Sequence, residues 1–292
     1  MNKEIRWGII GCGNVTEVKS APAYKQVDGF KIVAVMRRNL ELAKDYAKRH
    51  QIENYYNDAD RLINDTNIDA IYIATPPDTH HYYALKVAAA GKICCIEKPM
   101  APSYLECVAI NKAFKSKNIP VYVAYYRRSL PRFEKIKSLL NNKEIGDVRH
   151  VSWSLSKPAN HIDKSKAYNW RTDSKIAFGG YFDDLASHGL DLFTHLFGDI
   201  KDVFGVSTNQ QKLYSGKDAV SASWMHNSGI TGSGYWNFGA FEREDNVDII
   251  GSKGKISFSV FDEAPIVLFT ENEQKEFLVE NPKHIQYYHV LN

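Results

Sequence analysis

The stretch 5-IRWGIIGCGNVTEV-18 decides the architecture of the first half of the chain. A β-rich apolar run from Ile5 to Ile10 meets Gly11-Cys12-Gly13 and then an amphipathic segment, the pattern of a strand turning through small residues into a helix. Small residues there let the backbone approach a pyrophosphate, whose charge the helix start stabilises. Thr16 stands where the G-x-G-x-x-G pattern has its third glycine, so the strand-turn-helix setting must carry part of the argument. A plain tight turn is the competing reading; the setting favours a dinucleotide site, with Gly11, Gly13, Asn14 and Val15 as its contacts.

Outward from that turn, strands are expected at 5–10, 31–36, 69–75, 93–97 and 120–125. Helices are expected near 14–27, 40–50, 78–91 and 103–117, with Asp78 and Ser103 as N-caps and Gly91 as the left-handed stop of the third. Strands alternating with helices make a doubly wound parallel sheet, a Rossmann-type dinucleotide-binding domain over 1–125. Past Tyr125 the order changes to a helix at 131–142, strands at 147–156, 202–208, 218–224, 232–240, 246–250 and 255–260, and a helix at 182–197. Strands that follow strands imply an α+β domain with a large, mainly antiparallel sheet over 126–292. The segment 157-KPANHIDKSKAYNW-170 reads as a long loop whose aromatic residues can line a site.

Several function classes fall away on composition. A net charge of +3, with scattered basic residues, offers no groove for a polyanion, so no nucleic-acid partner is expected. The start, MNKEIRWGIIGCGNV, is neither a signal peptide nor a membrane span, and no later apolar run is long enough to be one, so no membrane partner is expected. The four cysteines lack disulfide or zinc spacing, and the adjacent pair Cys94-Cys95 lies in a strand pattern. Reduced, buried thiols and a cytoplasmic location follow.

At the end of the second strand, 33-VAVMRRNLE-41 carries Arg37 and Arg38 where an NAD site would carry an acid for the ribose hydroxyls. Two guanidiniums suit a 2′-phosphate, so the reading favours NADP over NAD, against the bland reading of two solvated arginines. In 73-IATPPDTHHYYALKVAAAGKICCIEKPMA-101 two strand ends bring Thr75, Pro76, His80, Glu97 and Lys98 to the cofactor side of the sheet. Pro99 restricts the backbone before it, which makes Lys98 a placed ammonium with a catalytic or binding use.

The segment 179-GGYFDDLASHGLDL-192 sets Asp184, His188 and Asp191 on one helix face, a pattern that is more often a solvated face than a catalytic one. His188, Asp191 and His195 fall at i, i+3 and i+7, but His195 is more simply a last-turn histidine, and no metal is expected. Arg128, Tyr168 and Trp170 are polar and aromatic candidates for a polyhydroxylated substrate, a sugar or polyol.

These residues resemble the Gfo/Idh/MocA oxidoreductases along nearly the whole chain: the Gly8–Thr16 turn, ATPPDTHHYYALKVAAAGK leading to EKP at 97–99, NWR at 169–171, GGYFDDLASHGLD at 179–191 and IIGSKGKI at 249–256. The resemblance implies a catalytic lysine at Lys98, a D-x-G-x-H motif on Asp184 and His188 with Ala186 in place of the glycine, and a structural acid at Asp191. It carries Trp170 and Arg171 over as residues near the cofactor or substrate, and it implies a homodimer or homotetramer formed through the second domain's sheet. Relatives run several dozen residues past the segment matching 281-NPKHIQ-286, so a shortened second domain is expected.

The mechanism these readings imply is hydride transfer between nicotinamide and a hydroxyl or carbonyl carbon. His188 moves the hydroxyl proton, Asp184 orients it or binds substrate, and Lys98 stabilises the developing alkoxide. Two alternatives stay open: a redox-neutral, NAD-dependent glycosidase-type enzyme of the same family, and a cofactor-sensing regulator without catalysis.

Overall fold

In the central strands of the first unit, neighbouring residues separate to opposite faces of the sheet. The computed structural model describes residues 4–291, and residues 4–126 together with 282–291 form this unit. In chain order it holds β1 (Ile5–Ile10), α1 (Asn14–Val18), α2 (Ser20–Tyr24), β2 (Phe30–Met36), α3 (Leu40–His50), β3 (Asn54–Tyr56), α4 (Ala59–Ile63), β4 (Ala70–Ile73), α5 (His80–Ala89), β5 (Ile93–Ile96), α6 (Tyr104–Ser116) and β6 (Val121–Val123). All strands pair in parallel, in the order β3-β2-β1-β4-β5-β6.

Ile71, Ile73, Cys94 and Ile96 enter one core with Leu62, Ala84, Val87, Ile110 and Phe114 of the helices. Ala70, Tyr72 and Cys95 enter another with Ala21, Tyr24, Tyr46 and Ala47. A sheet covered on both faces needs apolar residues at consecutive strand positions, which is why these strands read as unbroken apolar runs. The same alternation sends Cys94 and Cys95 to opposite cores as free, buried thiols, both with their pKa raised by burial. Strand order reverses between β1 and β4, and a crevice at that switch point is where this fold class holds its ligands.

Ser103 caps α6 in a reciprocal box with Glu106, and Gly91 takes φ +76° after α5, as the sequence predicts. Three local details differ. The helix expected over 14–27 is two short helices, because Pro22 has no N–H to offer the carbonyl four residues back. Asp78 does not cap α5; a 3-10 turn over Pro77–Thr79 precedes it. The tail joins the first unit rather than the second, where Val290 packs against the Trp7 and Tyr24 cluster.

The second unit, Arg127–Asn281, holds α7 (Pro131–Asn141), β7 (Val148–Ser156), α8 (His161–Ser165), α9 (Tyr181–Phe197), β8 (Ile200–Thr208), β9 (Ala219–His226), β10 (Thr231–Asn237), β11 (Glu244–Gly251), β12 (Gly254–Phe258), β13 (Ile266–Thr270) and β14 (Gln274–Phe277). The strands run β14-β13-β12-β11-β7-β10-β9-β8, antiparallel except at β7 with β10. Helix α9 lies on this sheet through Gly189, where a Cβ would meet the Trp153 ring at 2.4 Å, and through Leu192 and Phe193 one turn on. Trp153 crosses Trp236 and Phe193 edge-to-face, and Trp224 stacks on Phe193, so a cluster of three sheet tryptophans holds the helix through its Phe193. A last helix, α10 (Tyr287–Leu291), belongs to the first unit.

Candidate active site

Gly11 and Gly13 are glycines for different reasons. Gly11 has φ +91°, and a Cβ there would lie 2.7 Å from Thr75 Cγ2 and 2.9 Å from the Thr75 nitrogen, so the turn between β1 and α1 closes against the end of β4. Gly13 has φ −139°, open to any residue, and a Cβ would meet nothing nearer than the Gly11 carbonyl oxygen at 3.9 Å. No packing within the protein requires its missing side chain. Thr16, at the third glycine's place, closes the turn: its hydroxyl donates to the Gly13 carbonyl at 2.8 Å and accepts the Gly13 N–H at 3.0 Å. Burial pushes the intervening Cys12 thiol up to about 11, which makes it an inert filler at neutral pH. Asn14 is exposed and Val15 half-buried in the first turn of α1, and Arg37 and Arg38 are exposed past the end of β2.

The ends of β4 and β5 are tied together from below. His80, fully buried, spans two carbonyl oxygens, Thr75 at 2.8 Å from Nε2 and Pro99 at 2.9 Å from Nδ1. Burial drives its pKa below the usual histidine value, against the two carbonyls, which favour the cation. Both ring nitrogens are thus occupied inside the protein. The histidine expected as a cofactor contact thus lies between the Thr75 and Pro99 carbonyls. Thr75 and Pro76 are half-buried, and Thr79 Oγ1 donates to Thr75 Oγ1 at 2.7 Å. Glu97 is buried, its Oε1 accepting from the Tyr72 hydroxyl at 2.5 Å and from Gln286 Nε2 at 3.1 Å, while Oε2 accepts the Lys98 backbone N–H at 3.1 Å. Lys98 follows directly, half-buried.

In the second unit, α9 begins where only glycine fits. Gly180 has φ +62°, and a Cβ would lie 2.3 Å from the Lys217 carbonyl oxygen. Asp183 then accepts the Gly179 N–H at 2.8 Å, although burial raises its pKa. Asp184, His188, Asp191 and His195 run along one stripe of the helix, and cations from outside it meet three of the four. Arg171 Nε donates to Asp184 Oδ2 at 3.0 Å, Arg128 grips both oxygens of Asp191, and Lys137 Nζ lies 3.2 Å from His195 Nε2. Between them His188 is buried, its ring 6.0 Å from that of Phe261 and at a steep angle to it.

The fork of Arg128, expected on substrate, is thus engaged by Asp191, and the acid expected to be structural gains a partner 63 positions away in sequence. Asp191 still has its pKa raised by burial. Tyr168 is exposed, and Arg171 lies over the Trp170 ring at 4.4 Å from its centroid. Ala186 is fully buried. Among the described residues no group of three or more His, Cys, Asp or Glu is placed to hold a metal ion.

A polar group at the start of α9 escapes sequence reasoning. The Tyr181 hydroxyl donates to buried Asp163 at 2.8 Å and accepts from Asn160 and Asn169, while Lys157 Nζ sits 3.9 Å from the Tyr181 ring centroid. Burial lowers the Lys157 pKa. One signal was available: Lys157 is the first residue past the long strand β7, a position that ends a framework element rather than drifting in a loop.

Residues 5–125 match the oxidoreductase family with an NAD-binding Rossmann fold, and residues 133–257 match the GFO/IDH/MocA C-terminal domain. The chain belongs to the GFO/IDH/MocA oxidoreductase family. It is similar to an oxidoreductase of Formosa agariphila, 41% identical over 288 residues that cover 98% of this chain and 88% of the relative. A trans-1,2-dihydrobenzene-1,2-diol dehydrogenase of Bos taurus is 27% identical, over 94% of this chain and 79% of the relative. The fold recurs in a levoglucosan dehydrogenase solved with NADH and levoglucosan, at a TM-score of 0.83 and 24% identity, covering 97% of this chain and 83% of that one. Family membership makes this GFO/IDH/MocA chain an oxidoreductase whose first unit is the nicotinamide dinucleotide fold. No helix among the described residues is long and apolar enough to cross a membrane.

Proposed function

We propose that this protein transfers a hydride between a nicotinamide dinucleotide, NADP in preference to NAD, and a hydroxyl-bearing or carbonyl carbon of a sugar, polyol or cyclic diol. The observation that carries the reading is the open backbone at Gly13: a glycine that no internal packing demands, at the turn between β1 and α1, in a family whose first domain binds NAD. Gly11, Gly13, Asn14 and Val15 would hold the pyrophosphate side. Thr75, Pro76, Trp170 and Arg171 complete the proposed cofactor contacts, and the exposed Arg37 and Arg38 favour a 2′-phosphate.

The bound nicotinamide supplies the hydride exchange. The protein's own work is charge and proton management. The Lys98 ammonium stabilises negative charge on the substrate oxygen, His188 takes or returns the hydroxyl proton, and Asp184, steadied by Arg171, binds a neighbouring hydroxyl or orients the imidazole. Tyr168 and Arg128 are the proposed further substrate contacts. The substrate class draws support from the relatives named as dihydrobenzenediol and levoglucosan dehydrogenases, which act on hydroxylated rings. A cytoplasmic homodimer or homotetramer fits the reading, supported by exposed Val203, Phe204 and Val206 on the edge strand β8.

A screen of sugars, polyols and cyclic diols with NADP and NAD, followed at the reduced-nicotinamide absorbance, tests the reading. In Lys98→Met and His188→Ala, turnover should fall about a hundredfold or more with dinucleotide affinity kept. Wild-type rates in both variants would remove the assignment.

A further inference from the structure

Lys98 is placed by a buried carboxylate that is itself held from two directions. Glu97 stands at the end of β5, 8% exposed, with its own N–H donated to the Ile73 carbonyl at 2.8 Å. Tyr72 reaches its Oε1 from the adjacent strand β4, and Gln286 reaches the same atom from the segment before α10, 189 positions along the chain. Its other oxygen receives the Lys98 backbone N–H, so three donors fix one side chain and that side chain fixes the start of the next residue. A buried carboxylate that lost a donor would carry an unsatisfied charge or turn to find another partner. Either change moves the Lys98 backbone.

Gln286 is the less expected of the two anchors. It is 2% exposed, and burying a primary amide is unfavourable unless the amide is hydrogen-bonded. A Leu or Met would fill a purely structural contact at this place with less to satisfy. The residue after Lys98 is held as well, since the Pro99 carbonyl meets His80 Nδ1 at 2.9 Å. The lysine side chain therefore springs from a short backbone segment pinned on both sides, the arrangement that lets a long flexible ammonium be presented in one direction.

We propose that Gln286 and Tyr72 are positioning residues for Lys98, acting through Glu97, and that Glu97 serves as this anchor rather than as a contact to the dinucleotide. The inference rests on the reading of Lys98 as the residue that stabilises the substrate oxygen. It also makes the tail of the chain, far from the strand end in sequence, part of the machinery that aims that lysine.

The test uses the full chain with Gln286→Leu and, separately, Tyr72→Phe. Lysines are reductively methylated with 13C formaldehyde, and the Lys98 resonance is assigned by its loss in Lys98→Arg. In both variants the Lys98 resonance should shift or narrow, and turnover should fall about tenfold while the NADP dissociation constant stays within about twofold. An unchanged Lys98 resonance in both variants overturns the proposal, as does an NADP affinity lost in step with turnover, the mark of general damage to the unit. Failure of the catalytic reading would look different: Lys98→Met would keep full turnover, while the methyl resonance in Gln286→Leu would still decide whether the glutamine positions the lysine.

Discussion

Arg171 and Asp184 form an ion pair of 3.0 Å within the second unit, with the Arg171 guanidinium over the Trp170 ring on its other side. The arginine is about one-third exposed and the aspartate mostly covered, so the pair is neither a weak surface contact nor a fully desolvated bridge. A double-mutant cycle with Arg171→Ala and Asp184→Asn, read by urea unfolding, should give a coupling of about 1 kcal/mol. Additive effects would mean that the pair does not steady Asp184.

Asp183 gives a pH dependence of known sign. Burial raises its pKa above the value in the unfolded chain, against the Gly179 N–H, which favours the charged form. The neutral carboxyl is therefore the form that the fold prefers. Its contribution to stability is fully present below the unfolded pKa and is lost as pH rises through the folded one. Asp183→Asn keeps an acceptor for Gly179 and removes the titration, so its melting temperature should exceed that of the wild type at pH 7 and converge with it near pH 3.5. A wild-type advantage at pH 7 would contradict the sign.

Much of the framework was open to reading because its signals are local. The bounds of α3 and β1 follow from periodicity and caps, and the acid-imidazole stripe of α9 from i, i+3 and i+4 spacing. What stayed hidden was pairing at a distance. Neither the Arg128 grip on Asp191, nor the Tyr72 and Gln286 hold on Glu97, leaves a periodic trace, since each joins elements only the folded chain brings together. The same holds for His80, whose sequence neighbours suggest a ligand contact and whose partners are two carbonyls on different loops. Strands β13 and β14 and the short β3 and α4 were missed because three to five residues carry too little pattern to stand out from a loop.

The exposed arginines at the end of β2 test cofactor choice directly. If Arg37 and Arg38 receive the 2′-phosphate, the double variant Arg37→Ala, Arg38→Ala loses charge-assisted hydrogen bonds to a group that NAD lacks. NADP affinity should fall about 10- to 100-fold while NAD affinity changes little, measured by quenching or transfer from protein tryptophan. Equal losses for both dinucleotides would show that the arginines do not discriminate.

The two glycines of the β1 turn should separate stability from binding. Alanine at Gly11 must hold a left-handed backbone at φ +91° and push its methyl to within 2.7 Å of Thr75 Cγ2, so Gly11→Ala should destabilise the fold by about 3 kcal/mol. Gly13 has an extended backbone and free space around the absent Cβ, so Gly13→Ala should leave unfolding unchanged within about 0.5 kcal/mol. If the space at Gly13 exists for a pyrophosphate, that same harmless methyl should weaken dinucleotide binding about tenfold or more, since a contact displaced by 1.4 kcal/mol costs that factor. Thermal and urea unfolding of the two variants, beside fluorescence titrations with NADP and NAD, give both quantities from one preparation. Wild-type binding by Gly13→Ala would mean that the open backbone faces solvent rather than a cofactor, and the function proposed for the first unit would lose its principal support.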